Sequence, residues 1–387
     1  MEAFGGIRLR LWGVRDYYFG MKNLWLWMVV AIVLIGGYFV FFNKPSDVTD
    51  GPMKVGVILP LSGNAANYGE QVKKGIDIAL SSINKDGNNL EVIYEDNQFD
   101  PKLGLSAYNK LVKLQGIKYL ISFGGNVCPY INPLAQKDGV VNFATGCNTL
   151  DFKDSFSYNF RFDVAEREAS KAIVDYVATA LKPKSVGLIY VNNEWGAIVA
   201  GTVKDALTER SISVAAEEKF NDGSLDARTQ IVKLKAANPD AVFFLSLSNF
   251  TPILLKQMKE IGLNKPLFTN ISIQSQEVIQ NAGSLSEGIL YSAPNLVQVE
   301  NTRIEPFNQA FPDPNSRNFA SWGFDSVHLF NDAFKAVGDN AEKVAGYLHD
   351  VKDYGGAFGL VTYDASGELK LNYAIKAIRG GEFVEIK

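Results

Sequence analysis

The sequence predicts an α/β fold made of two doubly wound parallel-sheet lobes, preceded by one N-terminal transmembrane helix. From Met53 onward, apolar strand patterns alternate with amphipathic helix patterns, which is typical of parallel sheets covered by helices on both faces. The alternation runs twice, and residues 53–387 are too many for one ordinary core. Hydrophobic residues make up 47% and charged residues 21% of the chain, a composition typical of packed globular proteins.

The first series of elements begins with a short apolar strand at 54–59. Val72 and Ile76 belong to an apolar stripe at helical spacing, which predicts a helix at 67–84. Pro101 opens a further helix, because proline suits the first helical turn. The other elements predicted in this series are strands at 90–94, 119–123 and 140–143 and a helix at 129–138.

A second series repeats the alternation and predicts the second lobe. Its helices are predicted at 164–180, 195–210, 226–237 and 252–261, and its strands at 186–191, 213–220 and 241–245. At the C-terminus, 371–386 alternates between apolar and polar residues around Gly380-Gly381. Two alternating runs separated by a glycine pair predict a β-hairpin.

The N-terminal segment at 24–42 is uncharged and long enough to cross a bilayer of roughly 30 Å. Four basic residues precede it and two aspartates follow it, so the positive-inside bias places the N-terminus in the cytoplasm. We predict a cytoplasmic tail at 1–23, a single-pass membrane anchor at 24–42, a linker at 43–52 and a body on the extracytoplasmic face. A cleaved signal peptide is the open alternative, although no small-x-small cleavage site follows the apolar segment.

Charge and motif content exclude several classes of protein. Lys and Arg number 38 against 42 Asp and Glu, whereas a nucleic-acid binder would carry a basic excess. Two histidines and two cysteines argue against zinc sites and most histidine-dependent catalysis. The sequence contains no Walker A, G-x-S-x-G or H-E-x-x-H motif. We therefore predict no catalytic residue, no metal site, no cofactor and no nucleic-acid partner, so that an enzyme is the less favoured class.

The loops that follow the predicted strands are the expected ligand site, because open parallel sheets bind ligands beyond the carboxyl ends of their strands. These loops are rich in Gly, Asn, Ser and aromatic residues, which bind small molecules by hydrogen bonds and stacking. They lie at 60–69, 124–128, 144–149, 192–196, 246–250 and 269–272.

Six segments of this sequence are similar to one family, in order and without large gaps. They are PLSGNAANYG at 60–69, YEDNQFDPKLGLSAYNKLV at 94–112, GIKYLISFGG at 116–125, KPKSVGLIYVNNEWG at 182–196, NPDAVFFLSL at 238–247 and AGSLSEGILYSAP at 282–294. Together they resemble the periplasmic branched-chain amino-acid-binding proteins over essentially all of 53–387. The resemblance implies two lobes joined by three crossovers, which close on a ligand in the cleft between them and deliver it to an ABC permease.

The resemblance also implies where the ligand carboxylate is held. The serine-rich loop of the family falls on 124–128, where Asn126 and Val127 stand in place of serines. Pro129 still opens the following helix, so backbone amides remain for an anionic group. The Ala-Thr pair of the family falls on Cys147 and Asn148. As an alternative, the two asparagines are turn residues without a ligand role.

Further ligand contacts are implied on the opposite side of the cleft. An aspartate of the family falls close to Glu166, which could meet an ammonium group; alternatively, Glu166 is a solvated acid at a helix start. A second acid of the family falls near Asn270 and Ile271, where this sequence has no carboxylate. The aromatic positions of the family fall on Tyr68 and Trp195, either of which could instead be a packing residue. Leu247, in the loop at 246–250, completes the predicted set.

Cys128 and Cys147 follow neighbouring predicted strands and so lie at the same edge of one sheet. An extracytoplasmic compartment permits disulfides, and closing a loop of roughly 20 residues contributes about 3 kcal/mol. We predict a disulfide between them, and two free buried thiols are the alternative.

These observations predict a membrane-tethered solute-binding protein for an amino acid or a related small solute, on the outer face of the cell membrane. The predicted first lobe comprises 53–163 and 293–357, and the second comprises 164–292 and 358–387. The predicted partner is an ABC permease. The alternative is a sensory ectodomain that works with a separate signalling protein.

Overall fold

The computed structural model describes residues 52–87, 89–147, 157–296, 299–313 and 317–386, all of which belong to one compact unit. The membrane anchor predicted at 24–42 lies outside these residues. Across the described ranges, no helix is both long enough and apolar enough to cross a membrane.

The first sheet has five strands, all parallel, in the order β2-β1-β3-β4-β5. Every residue of β3, β4 and β5 is buried, as expected for a parallel sheet covered on both faces. The strands are β1 (Met53–Leu59), β2 (Leu90–Asp96), β3 (Tyr119–Phe123), β4 (Val141–Thr145) and β5 (Asn159–Phe162). The first four confirm the predicted strands, whereas β5 was not predicted.

The second sheet has seven strands in the order β14-β13-β10-β9-β8-β6-β7. They are β6 (Ser185–Asn192), β7 (Ser213–Asn221), β8 (Ala241–Leu245), β9 (Leu267–Thr269), β10 (Leu290–Pro294), β13 (Tyr373–Arg379) and β14 (Glu382–Glu385). The strands β6 to β10 pair in parallel, and β13 and β14 are antiparallel. Gly380 and Gly381 connect β13 to β14 with φ angles of 60° and 76°, which suit a two-residue hairpin turn. The predicted C-terminal hairpin is therefore confirmed.

Eleven α-helices are described, and they cover the two sheets. They are α1 (Ala66–Lys85), α2 (Pro101–Tyr108), α3 (Cys128–Asp138), α4 (Glu166–Ala180), α5 (Glu194–Glu209), α6 (Arg228–Ala237), α7 (Thr251–Ile261), α8 (Gln276–Ala282), α9 (Glu305–Ala310), α10 (Asn318–Val337) and α11 (Ala341–His349). A small hairpin of β11 (Tyr354–Gly355) and β12 (Leu360–Val361) follows α11. We call the five-stranded sheet with α1–α3 and α9–α11 the first body, and the seven-stranded sheet with α4–α8 the second body.

The chain returns to the first body with α9 and α10, and α10 packs closely along α1. Glycines permit this approach, because a Cβ at Gly75 would meet the Ala320 carbonyl, and a Cβ at Gly323 would meet the Val72 carbonyl. The chain therefore crosses between the bodies three times: after β5, after β10 and between β12 and β13. The lobe boundaries given above stay predictions.

Asp325, within α10, holds the chain segment that precedes the third crossover. It is fully buried, and its carboxylate accepts hydrogen bonds from the Ala357 and Phe358 N–H groups at 2.8 and 2.7 Å. Burial raises the pKa of this carboxyl to about 7, since a low dielectric disfavours the charged form. These contacts give Asp325 a structural role.

Candidate functional site

A cavity of about 50 Å³ lies between the two bodies, beyond the carboxyl ends of strands from both sheets. The first body contributes Tyr68, Phe99, Phe123, Gly125, Gly146, Phe319 and Trp322 to its walls. The second body contributes Trp195, Leu247, Asn270, Ile271 and Ser272, and Asp163 lies at the first crossover. A small ligand here would touch both bodies at once.

The walls of the cavity are largely aromatic. Tyr68, Phe319, Trp322 and Phe123 contact one another in a closed circuit, which we call the four-ring cluster. Successive centroids are 4.9, 4.8, 6.3 and 6.5 Å apart, ending with Phe123 against Tyr68. These separations lie within the range of favourable aromatic pairs, so the rings support one another in place.

Phe99 and Trp195 make a second aromatic contact, which joins the two bodies at a centroid distance of 6.3 Å. Phe99 has φ of 62°, a conformation that costs a bulky residue free energy and is typical of functional sites. Asn97 stabilises this turn: its Oδ1 accepts the Phe99 N–H at 2.8 Å, and its Nδ2 donates to the Phe123 carbonyl at 2.9 Å. The structure thus fixes Phe99 against the cavity.

Asp163 is the one carboxylate among the described residues of the cavity wall. Its side chain is only 2% exposed, and its Oδ1 accepts the Val164 N–H at 2.6 Å. Burial raises its pKa to about 8, with Glu166 and Glu368 adding to the rise and Arg161 opposing it. Arg161 itself pairs with Glu368 at 2.7 Å and donates to the Cys147 carbonyl. A carboxyl with a strongly shifted pKa in a cleft indicates a functional site.

Glu166 lies behind the cavity wall and orients a residue within it. It is 2% exposed, and it accepts hydrogen bonds from Ser170 Oγ at 3.1 Å and Asn270 Nδ2 at 3.3 Å. On its other side, Asn270 Oδ1 accepts from the N–H and Oγ of Ser272, at 3.1 and 2.6 Å. Both polar atoms of the Asn270 amide are therefore held by neighbours in the second body.

Hydrogen bonds also join the two bodies beside the cavity. Asn126 Oδ1 accepts the Trp195 N–H at 2.5 Å, and the Tyr68 hydroxyl oxygen accepts the Ser248 N–H at 3.1 Å. Burial raises the pKa of Tyr68 to about 12, so its hydroxyl is neutral at physiological pH. Ser248 Oγ donates to Asn67 Oδ1 at 2.8 Å. These bonds exist only when the two bodies are close together.

The rim of the cleft carries further contacts between the bodies. Asn64 Nδ2 donates to Asp222 Oδ1 at 3.3 Å, and Asn249 Nδ2 donates to Asn64 Oδ1 at 3.2 Å. The Tyr130 hydroxyl donates to Glu194 Oε2 at 3.1 Å. Such exposed bonds contribute little stability individually, yet they fix the orientation of the two faces.

The structure brings together five of the predicted ligand residues. Those that line the cavity are Tyr68, Trp195, Leu247, Asn270 and Ile271. Those that lie beside it without forming its wall are Asn126, Val127, Cys147 and Glu166. Asn148 lies outside the described residues. Ligand contact by each of these residues stays a prediction.

Sequence reasoning missed Phe99, Phe123, Asp163, Phe319 and Trp322 in the cavity wall, whereas Ser272, Gly125 and Gly146 of the wall lie in loops predicted to form the site. The spacing of Phe319 and Trp322 offered a signal, since residues three apart lie on one face of a helix. Nothing in their local sequence shows that the N-terminal turn of α10 returns to the cleft. Asp163 stands three residues before Glu166, and the chain direction at the crossover decides which acid reaches the cavity.

Cys128 and Cys147 are paired as a disulfide in the structure, with Cα atoms 5.8 Å apart. That separation lies in the normal range for disulfides. The bridge connects the N-terminus of α3 to the loop after β4, which carries Gly146 of the cavity wall. The disulfide predicted from the sequence stays a prediction that alkylation tests.

Comparison with known proteins finds matches along almost the whole described region. A family model described as periplasmic binding protein matches residues 52–381. Leu/Ile/Val-binding protein homolog 2 of Brucella abortus is 27% identical over 340 residues, which cover 85% of this chain and 91% of that protein. The leucine-, isoleucine-, valine-, threonine- and alanine-binding protein of Pseudomonas aeruginosa is 25% identical over 353 residues, covering 88% of this chain and 92% of that protein.

Solved structures share the fold at lower sequence identity. The branched-chain amino acid transporter substrate binding protein LivJ of Streptococcus pneumoniae, in complex with isoleucine, has a TM-score of 0.72 at 22% identity. The match covers 87% of this chain and 99% of that one. An ABC transporter solute binding protein from R. palustris, in complex with benzoate, has a TM-score of 0.76 at 18% identity, covering 87% and 96%. These two solved structures therefore share the fold of this chain over 87% of its length.

Proposed function

We propose that this chain, which belongs to the periplasmic binding protein family that includes the Leu/Ile/Val-binding proteins, captures a small amino-acid-like solute between its two bodies. Members of this family are binding proteins and not enzymes, and this chain is likewise a binding protein. The observation that carries the proposal is the cavity whose walls come from both sheets. Pockets of this kind, apolar with a few polar groups at strand ends, are typical of small-molecule sites.

Hinge closure is the mechanism that this geometry supports. Three crossovers join the bodies, and the bonds of Asn126 to Trp195 and of Tyr68 to Ser248 form only when the bodies meet. A ligand that contacts both walls gains binding energy only in the closed arrangement. It therefore shifts the population of the protein toward closure.

The experiment that tests the proposal is a thermal-shift screen of residues 50–387 against amino acids, amides and aromatic acids. A solute that binds only the folded state, at about 100 times its Kd, stabilises the protein by about 2.7 kcal/mol. We expect one solute class to raise the Tm by several degrees and to reduce the radius of gyration in solution X-ray scattering. Stabilisation without compaction would argue against closure, and a screen in which no solute stabilises the protein would refute solute capture.

Delivery to an ABC permease on the outer face of a cell membrane completes the proposed role, with the segment at 24–42 as an uncleaved anchor. Support comes from the family, whose members are extracytoplasmic, and from the transporter proteins among the similar structures. We expect the mature protein to keep its N-terminal segment and to stay with membranes after carbonate washing. A soluble mature form that begins beyond residue 37 would contradict the anchor. Intact solute uptake in a deletion strain would favour the sensory role over transport.

A further inference from the structure

We propose that the solute carries an alkylated ammonium group, as betaines and choline-like cations do, and that the four-ring cluster holds this group beside Asp163. The inference rests on the proposed function, because it names the chemical class of the ligand for the same cavity. It follows from the aromatic walls, the charges around the cavity and the hydrogen bonds that its polar side chains already make.

The four-ring cluster offers electron-rich surface to a cation. Four rings in mutual contact line the cavity, with centroid separations from 4.8 to 6.5 Å, and Trp195 lies on the opposite body. A cation within about 6 Å of a ring centroid is attracted by the ring quadrupole, and the attraction is strongest when the contact is desolvated. Tryptophan is the strongest partner in such contacts, and the cavity has two, Trp195 and Trp322.

The charge around the cavity favours a cation over an anion. No Lys, Arg or His occurs among the described lining residues, whereas Asp163 does. The charged groups that act on Asp163 are Arg161 from β5, Glu166 from α4 and Glu368 from the third crossover. Arg161 is paired with Glu368 at 2.7 Å, and an ionised Asp163 places a negative charge directly on the cavity wall. Tyr373 of β13 also lies close, and its neutral hydroxyl adds no charge.

The hydrogen bonds distinguish an alkylated ammonium from a primary one. A buried primary ammonium must place three N–H donors on acceptors, and each donor left unsatisfied weakens binding. Asn270 Oδ1 already accepts from the N–H and Oγ of Ser272, and Asp163 Oδ1 accepts from Val164. A quaternary ammonium has no N–H donors, so aromatic faces and one carboxylate satisfy it.

Paired probes of equal shape test this inference on residues 50–387. Choline has a positively charged nitrogen at its branched centre, where 3,3-dimethylbutan-1-ol has a neutral carbon. The ratio of their Kd values from calorimetry therefore measures what the positive charge contributes to binding. We expect choline or trimethylglycine to bind, and choline to bind at least about tenfold more tightly than the alcohol, which corresponds to about 1.4 kcal/mol. Leucine and benzoate are titrated in parallel.

A pH series adds a readout that packing alone would not change. Because Asp163 must be ionised to pair with the cation, choline should bind more tightly as the pH rises toward about 8, while the alcohol should be insensitive to pH. Asp163→Asn should abolish this dependence, and the Tm of the variant checks that it folds.

Equal affinity for choline and the alcohol, or no binding of choline and trimethylglycine at millimolar concentration, would overturn the inference. Binding of leucine or benzoate in that case would leave the proposed function standing, whereas failure of every solute in the wider screen would refute both.

Discussion

Asn126→Ala tests whether hydrogen bonds between the two bodies control solute affinity. Asn126 Oδ1 accepts the Trp195 N–H across the cleft at 2.5 Å, and its Nδ2 donates to the Phe99 carbonyl at 3.3 Å. Both Asn126 and Trp195 are buried. The substitution removes an acceptor that exists for Trp195 only in the closed arrangement, so it should penalise closure. The lost bond to Phe99 lies within the first body and affects the open and closed arrangements alike.

The magnitude follows from the cost of a buried donor that loses its acceptor. That cost is about 1–3 kcal/mol, which corresponds to about 5- to 150-fold weaker binding. Isothermal titration with a solute found in the screen measures the Kd, and solution scattering measures compaction on binding. Asn126→Asp is the matched control: it keeps an oxygen acceptor for Trp195 and should lose less affinity. Unchanged affinity and compaction in Asn126→Ala would refute the reasoning.

Three further predictions concern the disulfide, the helix packing and the acid behind the cavity. With Cys128 and Cys147 bridged, the denatured protein should take up no alkylating reagent before reduction and two equivalents after it. Gly75→Ala should destabilise the protein by about 1–3 kcal/mol in urea unfolding, because its Cβ would meet a carbonyl of α10; Gly201→Ala, with open space around its Cβ, should be neutral or stabilising. Glu166→Gln should weaken the binding of a cationic solute, because it removes a negative charge from behind the cavity wall, and leave a neutral solute unaffected, as measured by calorimetry.

Much of the fold could be predicted because the periodicity of a strand or a helix depends on residues that are close together in the sequence. The apolar strand β1 and the glycine-paired C-terminal hairpin depend on their own residues, and both appear where the sequence places them. The strands β5 and β9 have only four and three residues. Segments this short carry too few residues to show a period, and they form strands because neighbouring strands pair with them.

The cavity could be predicted only in part, because its walls come from distant segments. Tyr68 and Trp195 stand in loops after predicted strands, and the rule for parallel sheets places such loops at the ligand site. Phe319 and Trp322 arrive through α10, whose packing along α1 depends on glycine contacts between helices that are far apart in the sequence. Glu166 and Asp163 differ in the direction of their side chains at a crossover, which no sequence pattern specifies.

The affinity of Trp195→Ala for the solute that stabilises the wild-type protein tests the central claim most directly. Trp195 belongs to the second body, lines the cavity and contacts Phe99 of the first body. Its loss removes apolar contact area whatever the charge of the solute. Isothermal titration should show that Trp195→Ala binds the solute at least about tenfold more weakly, a loss of about 1.4 kcal/mol. The control is Leu225→Ala, which should bind as the wild type does, because Leu225 is 62% exposed and lies outside the cavity wall. Wild-type affinity in Trp195→Ala, with its folding intact, would contradict solute binding in this cavity.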